Sequence, residues 1–245
     1  MSRISKAFAE KNAFIGYLTA GDGDSKKLFV DLLRGGVNLL EIGIPHSDPV
    51  ADGPVIQRAM QRSLAAGTTP DSVLQLVKEL RRKINTPMVL FTYYNPIQRD
   101  LRGFLKKAKE AGADGLLIVD LPFEESRAYR DACTEFGLEP IFVIAPSTPP
   151  ERIREIARMA GGFLYYACRK GTTGARKGLP EDLAEKISLI RGLSKLPIAV
   201  GFGVSERETA QEILKAADGF VVGSLFVDAV EKEKNLEEIA GGLKP

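Results

Sequence analysis

Short apolar runs alternate with amphipathic segments along the whole chain, at 14–18, 37–42, 87–92, 115–119, 140–144, 162–167, 198–200 and 219–222. Each run is rich in Val, Ile, Leu or Phe, and helical periodicity separates one run from the next. This is the pattern of parallel strands covered by helices. Eight such runs suffice to close a barrel, and 245 residues is near the ~250 of a typical (β/α)8 domain. The sequence therefore predicts an α/β fold, a single (β/α)8 TIM barrel, occupying residues 1–245 as one domain.

The intervening segments carry their own signals. Thr69 before Pro70 reads as an N-cap with proline at the first helical position, opening a helix towards Lys83. Helices over 124–136 and 150–159 stop at Gly137 and before Gly161, and Ser205 is placed to cap a helix over 206–215. After the second run, residues 54–66 form an extra helix before Gly67. Loops that follow barrel strands build the catalytic face, so this helix adds protein above the site or offers a surface to a partner. No internal repeat, low-complexity tract or linker marks a second domain.

Charge narrows the function. Thirty-four basic residues nearly cancel thirty-two acidic ones without a basic block, which argues against a nucleic-acid partner and leaves room for a small anionic ligand. The first fourteen residues lack the apolar core of a signal peptide, and no run approaches the ~18 residues of a membrane span, so a cytoplasmic protein is expected. Cys133 falls in a predicted helix, Cys168 at a strand end, and His46 is the single histidine. Neither a disulfide framework nor a metal site is expected from that set.

Residues 40–54, LEIGIPHSDPVADGP, carry the densest chemistry. Glu41 shares a pleat face with Leu39 and Val37, which aims a carboxylate where apolar residues belong. Such a placement costs stability and points to function. Asp48 and Asp52 follow in a loop punctuated by Pro and Gly that can fold back over the strand end. Two carboxylates in unlike environments suggest acid/base chemistry. Late in the chain, Gly171-Thr-Thr-Gly174, Gly201-Phe-Gly203 and Gly223-Ser224 each follow a predicted strand. Glycine lets backbone approach an anion, and Ser224 opens a short helix whose N–H groups favour negative charge, so together they suggest a phosphate cradle.

With both halves in view, the sequence resembles the alpha subunits of tryptophan synthase. The likeness rests on Tyr17-Leu-Thr-Ala-Gly21, residues 40–54, Tyr93-Tyr-Asn-Pro96, Asp120-Leu-Pro122, Gly171-Thr-Thr-Gly-Ala-Arg176, Gly201-Phe-Gly-Val-Ser205 and Val222-Gly-Ser224, spread over nearly the whole chain. It implies a lyase that splits indole-3-glycerol phosphate into indole and glyceraldehyde 3-phosphate by retro-aldol cleavage. It also implies no cofactor of its own, and a partner beta subunit, carrying pyridoxal phosphate, that receives the indole in an alpha2beta2 complex. By matching motif, Glu41 is the proton shuttle, Asp52 its partner and Tyr165 the active-site tyrosine, while Thr173 belongs to a lid that closes over the site. Gly174, Gly203, Gly223 and Ser224 match the phosphate cradle, and Tyr17, Ile56, Phe91 and Phe202 match residues packing on the indole ring. The partner surface implied is the loop 48–54, the helix after it and the lid 171–177.

Taken without the resemblance, several residues keep a second reading. Glu41 fits a structural acid paired with a lysine inside the barrel, and Asp52, just before Gly53 and Pro54, fits a helix cap. Asp48 reads as a loop or interface residue and Asp120 as a turn residue ahead of Pro122. Tyr165 and Tyr166 are equivalent candidates, one of which must face outward, and Phe91 and Phe202 fit ordinary core. No run places a lysine at an inner strand end for Schiff-base chemistry. Four features depart from the family pattern: His46 where phenylalanine is usual, Gly16 where proline is usual, the atypical residues Cys168, Arg169 and Lys170, and a short segment after Ser224, from which the last helix is expected to cover less of the barrel.

Overall fold

The computed structural model describes residues 1–9, 12–168, 178–201 and 203–245. Eight parallel strands close into a barrel in chain order: β1 (Ala13–Thr19), β2 (Leu39–Gly43), β3 (Met88–Thr92), β4 (Gly115–Ile118), β5 (Glu139–Ile144), β6 (Leu164–Ala167), β7 (Ile198–Gly201) and β8 (Gly219–Val222). The helices are α1 (Arg3–Ala9), α2 (Ser25–Arg34), α3 (Pro54–Ala65), α4 (Pro70–Arg81), α5 (Leu101–Ala111), α6 (Arg127–Phe136), α7 (Pro150–Met159), α8 (Leu183–Leu193), α9 (Arg207–Leu214), α10 (Ser224–Glu231) and α11 (Leu236–Leu243). The eight predicted strands and the extra helix after the second are all present.

Strand alternation divides the apolar residues into two cores. Ala13, Ile15, Leu39, Val89, Leu117, Ile141, Ala199 and Val221 point into the barrel. Their neighbours Phe14, Leu40, Leu90, Leu116, Phe142, Val200, Phe220 and Val222 pack outward under the helices. Burial on both faces is why the strands read as continuous apolar runs rather than as an alternation. Helix α1 closes the floor: Ile4 and Phe8 belong to the inner core, and the Phe8 and Phe163 rings lie 5.2 Å apart. A Cβ at Gly115 or Gly162 would sit 3.2 or 3.3 Å from the Ile4 side chain, so both glycines make room for the plug. Seven residues are too few for helical periodicity to declare itself, and α1 was not expected from the sequence.

Other boundaries correct the sequence reading. Val37 does not share the inner face with Glu41; β2 begins at Leu39 and Val37 packs in the outer layer, against the Gly16 position. The cause is the exit from α2, where the Val37 N–H still bonds the Leu32 carbonyl and the Asn38 side chain accepts from the Phe14 N–H. Thr69 caps α4 in a reciprocal box with Ser72 as its partner. Ser205 caps nothing comparable: α9 starts at Arg207, with Glu206 at the cap position and no side-chain bond. The 124–136 helix is really a 3-10 turn, Phe123–Glu125, followed by α6. The short C-terminal segment still completes the ring, because α11 packs on α2 so closely that a Cβ at Gly35 would collide with Ala240.

A short local repeat stitches the floor. Ala113-Asp114-Gly115 and Ala217-Asp218-Gly219 precede β4 and β8. Asp114 accepts the Met88 N–H of β3 at 2.8 Å and Arg81 at 2.6 Å, while Asp218 accepts the Ile198 N–H of β7 at 3.0 Å and Arg191 at 3.2 Å. Each carboxylate ties the first residue of the preceding strand to the helix that leads into it. Three residues apiece, more than a hundred positions apart, leave little periodic trace.

Candidate active site

The inner faces of β1, β2, β3 and β6 change character at their carboxyl ends. On β2 the register that buries Leu39 puts Glu41 next on the same face, beside Tyr17 of β1 and Val89 of β3. Glu41 is 1% exposed, and its Oε1 has no hydrogen-bond partner among the described residues. Burial without a compensating charge pushes its carboxyl up to about 8. Among the described residues no lysine pairs with Glu41.

Asp52 comes back over the strand end from the following loop and is 2% exposed. The Tyr93 hydroxyl donates to its Oδ2 at 2.7 Å. Burial raises the carboxyl to about 6, and the Tyr93 bond partly opposes the rise. Gly53, not Asp52, is the N-cap of α3, so the capping alternative does not hold. Asp48 is exposed, outside this pair, and Asp120 accepts the Tyr94 N–H at 2.7 Å, fixing the turn after β3.

Tyrosines complete the wall. Tyr165 joins the inner cluster and Tyr166 the outer one, which settles which of the two faces the site. Burial and the charges of Glu41 and Asp52 hold the Tyr165 hydroxyl well above its ordinary range, so it lies within electrostatic reach of both acids. Tyr17 is raised likewise, by burial and then by Asp52, with Tyr93 and Glu41 contributing. Two glycines create the room: a Cβ at Gly43 would collide with the Tyr17 phenol, and one at Gly201 with the Tyr165 ring.

Of the expected ring-binding and phosphate residues, Phe91, Ile56 and Gly223 gather around Tyr17. Phe91 packs edge-on against it at 5.5 Å between centroids, and a Cβ on Gly223 would lie 3.7 Å from Tyr17 and 3.9 Å from Ile56. Gly223 is the residue before α10, so Ser224 opens that helix with its amide unbonded within the helix. Gly203 follows β7 and is half-buried. Thr173, Gly174, Phe202 and the rest of the lid, 171–177, lie outside the described residues. In the sequence Tyr93 stands out only as part of the motif Tyr93-Tyr-Asn-Pro96. The parity of Val89, Phe91 and Tyr93 was the signal that would have put it inside with the acids.

Comparison with known proteins identifies the family to which this barrel belongs. The family model described as tryptophan synthase alpha chain matches residues 4–241. A tryptophan synthase alpha chain of Coxiella burnetii is 46% identical over 251 aligned positions, covering 100% of this chain and 98% of its own length. One from Chlamydia felis is also 46% identical, covering 98% and 96%. A solved structure of Mycobacterium tuberculosis tryptophan synthase superposes with a TM-score of 0.93 at 33% identity, covering 99% of this chain and 97% of that one. A tryptophan synthase alpha-subunit from Pyrococcus furiosus gives 0.87 at 37% identity, covering 95% and 98%. On a full-length family match, close relatives and a shared barrel, this chain belongs to the tryptophan synthase alpha chain family.

Proposed function

We propose that Glu41 and Asp52 carry, in this chain, the alpha reaction of tryptophan synthase: cleavage of indole-3-glycerol phosphate to indole and glyceraldehyde 3-phosphate in tryptophan biosynthesis. The carrying observation is the buried pair itself, one carboxyl pushed to about 8 and the other to about 6. At neutral pH, Glu41 is mostly protonated and Asp52 mostly ionised, the division of labour an acid/base lyase needs.

Glu41 gives its proton to C3 of the indole, which turns the ring into an electron sink with positive charge at nitrogen. Asp52 accepts the indole N–H and stabilises that charge. Glu41, now a carboxylate, takes the proton of the side-chain hydroxyl next to the ring. The carbon–carbon bond breaks, its electron pair returns to the ring, and the hydroxyl carbon becomes the aldehyde. Glu41 ends protonated, as it began. Tyr165 closes the far wall, Tyr17, Ile56, Phe91 and Phe202 hold the ring, and Gly174, Gly203, Gly223 and Ser224 bind the phosphate, with α10 presenting its N-terminus. Thr173 carries the lid. The whole barrel, residues 1–245, serves as one catalytic domain.

No step asks for a cofactor, and pyridoxal phosphate belongs to the beta subunit that takes the indole in an alpha2beta2 assembly. The loop 48–54, where Val50 is 65% exposed, together with α3 and the lid 171–177, forms the surface offered to that partner. Among the described residues no helix is long and apolar enough to cross a membrane, consistent with a cytoplasmic site of action. The decisive experiment is indole release from indole-3-glycerol phosphate by purified protein and by Glu41→Gln. The variant is expected to lose ~10²–10⁴-fold in kcat. Wild-type activity retained in the variant would remove Glu41 from the mechanism.

A further inference from the structure

We propose that Tyr93 is a positioning residue for Asp52, pinning the loop that carries the acid and holding one carboxylate oxygen so that the other is presented to substrate. This rests on the reading of Asp52 given above. Tyr93 is 1% exposed and stands just beyond β3, with its hydroxyl on the Asp52 carboxylate. Its oxygen makes two bonds to consecutive loop residues: it accepts the Ala51 N–H at 3.0 Å and donates to Asp52 Oδ2 at 2.7 Å. Because the amide occupies the acceptor side, the phenol proton is directed at the carboxylate. The Asp52 backbone is set separately, by its N–H to the Pro49 carbonyl and by Gln57 Nε2 to its own carbonyl. Side-chain aim is thus the task left to Tyr93. The phenol ring is itself braced, with the His46 ring 4.9 Å away and the neighbouring Tyr94 N–H tied to Asp120.

The titratable groups around this pair come from several elements: Tyr17 on β1, Glu41 on β2, His46 in the loop after it, Asp120 after β4, and Tyr165 on β6. Burial makes the Asp52 charge costly, and Tyr93 supplies the donated bond that offsets it. Removing that bond leaves burial unopposed, so fewer molecules hold Asp52 ionised near neutrality.

The test is a ¹³C carboxyl NMR titration of Asp52 in substrate-free protein, assigned with Asp52→Asn, beside the pH dependence of kcat/KM for indole release. In Tyr93→Phe, which keeps the ring against His46, the Asp52 midpoint should rise by roughly half a pH unit or more. The acid limb of kcat/KM should move with it. Installing 3-fluorotyrosine at position 93, a stronger donor of nearly the same shape, should move the midpoint down and keeps the test open should the phenylalanine variant fold poorly. An unchanged midpoint in both, or a loss of rate equal at every pH, would overturn the proposal. Because the titration needs no turnover, it stands apart from the lyase assignment, which an absence of indole from the wild type would sink instead.

Discussion

At the residue scale, the site is a pair of carboxyl groups separated by environment rather than by type. Glu41 is raised by burial alone, whereas Asp52 is raised by burial and drawn back by Tyr93. The roles proposed for the pair require Glu41 protonated and Asp52 ionised, so kcat/KM should be bell-shaped, rising through about 6 and falling through about 8, as macroscopic values of the pair. A profile flat from pH 5.5 to 9 would contradict it. The same burial has a stability consequence. Glu41 moves from an ordinary 4.5 to about 8 on folding, so the folded state binds the extra proton between those values, and stability falls as pH rises through that window. Glu41→Gln should therefore be more stable than wild type at pH 8.5, by on the order of a few kcal/mol, and indistinguishable below pH 4. Urea melts at the two pH values decide it, and an equal difference at both would mean that the gain does not come from ionisation. Glu41 was legible in the sequence because a Glu in an apolar strand breaks the local pattern, whereas Asp52, which taken alone fits a helix cap before Gly53 and Pro54, was picked out by the long 40–54 motif. Tyr93 was not, since a tyrosine beside a strand fits core as well as site, and only the returning loop gives its hydroxyl a carboxylate to meet.

At the element scale, the floor of the barrel depends on two matching carboxylates with unequal surroundings. Asp114 is buried and served by Arg3 and by Arg81, whose side chain is 15% exposed; Asp218 faces Arg191, whose side chain is 48% exposed. Removing Asp114 leaves a mostly buried guanidinium with backbone carbonyls but without its opposite charge, and unpairs the Met88 N–H, so Asp114→Ala should cost about 3–5 kcal/mol. Asp218→Ala leaves a better hydrated arginine and one strand N–H, and should cost about 1–3 kcal/mol. Denaturant unfolding of both variants checks the order, and a larger loss at Asp218 would reject it. Strand positions and the Thr69 cap followed from local chemistry, which is why they were predictable. The start of α9 and the break before α6 were not, because Ser205 and Glu124 satisfy helix preferences that the packing of the barrel overrules.

At the scale of the whole molecule, α3 is a departure from a plain barrel that is tied down on the catalytic side. Arg62 makes a bidentate pair with Asp22 after β1 and reaches Glu231 at the end of α10, and Arg58 pairs with the same Glu231. The helix that follows the Asp52 loop is thereby joined to the helix whose N-terminus lies beside Tyr17 and Ile56. Ordering of the 48–54 loop by a beta subunit would act on Asp52 directly. Indole release should rise on adding that subunit, and a rate unchanged at saturating partner would remove the coupling. The sequence by itself determined the count of strands, the extra helix and the residue types of the site, because period, capping and the long 40–54 motif are local properties of the chain. Only the tertiary structure decided that α1 plugs the floor and that Tyr93 holds Asp52. Those outcomes depend on barrel closure, which sets register and brings together residues whose separation in sequence carries no record of their contact.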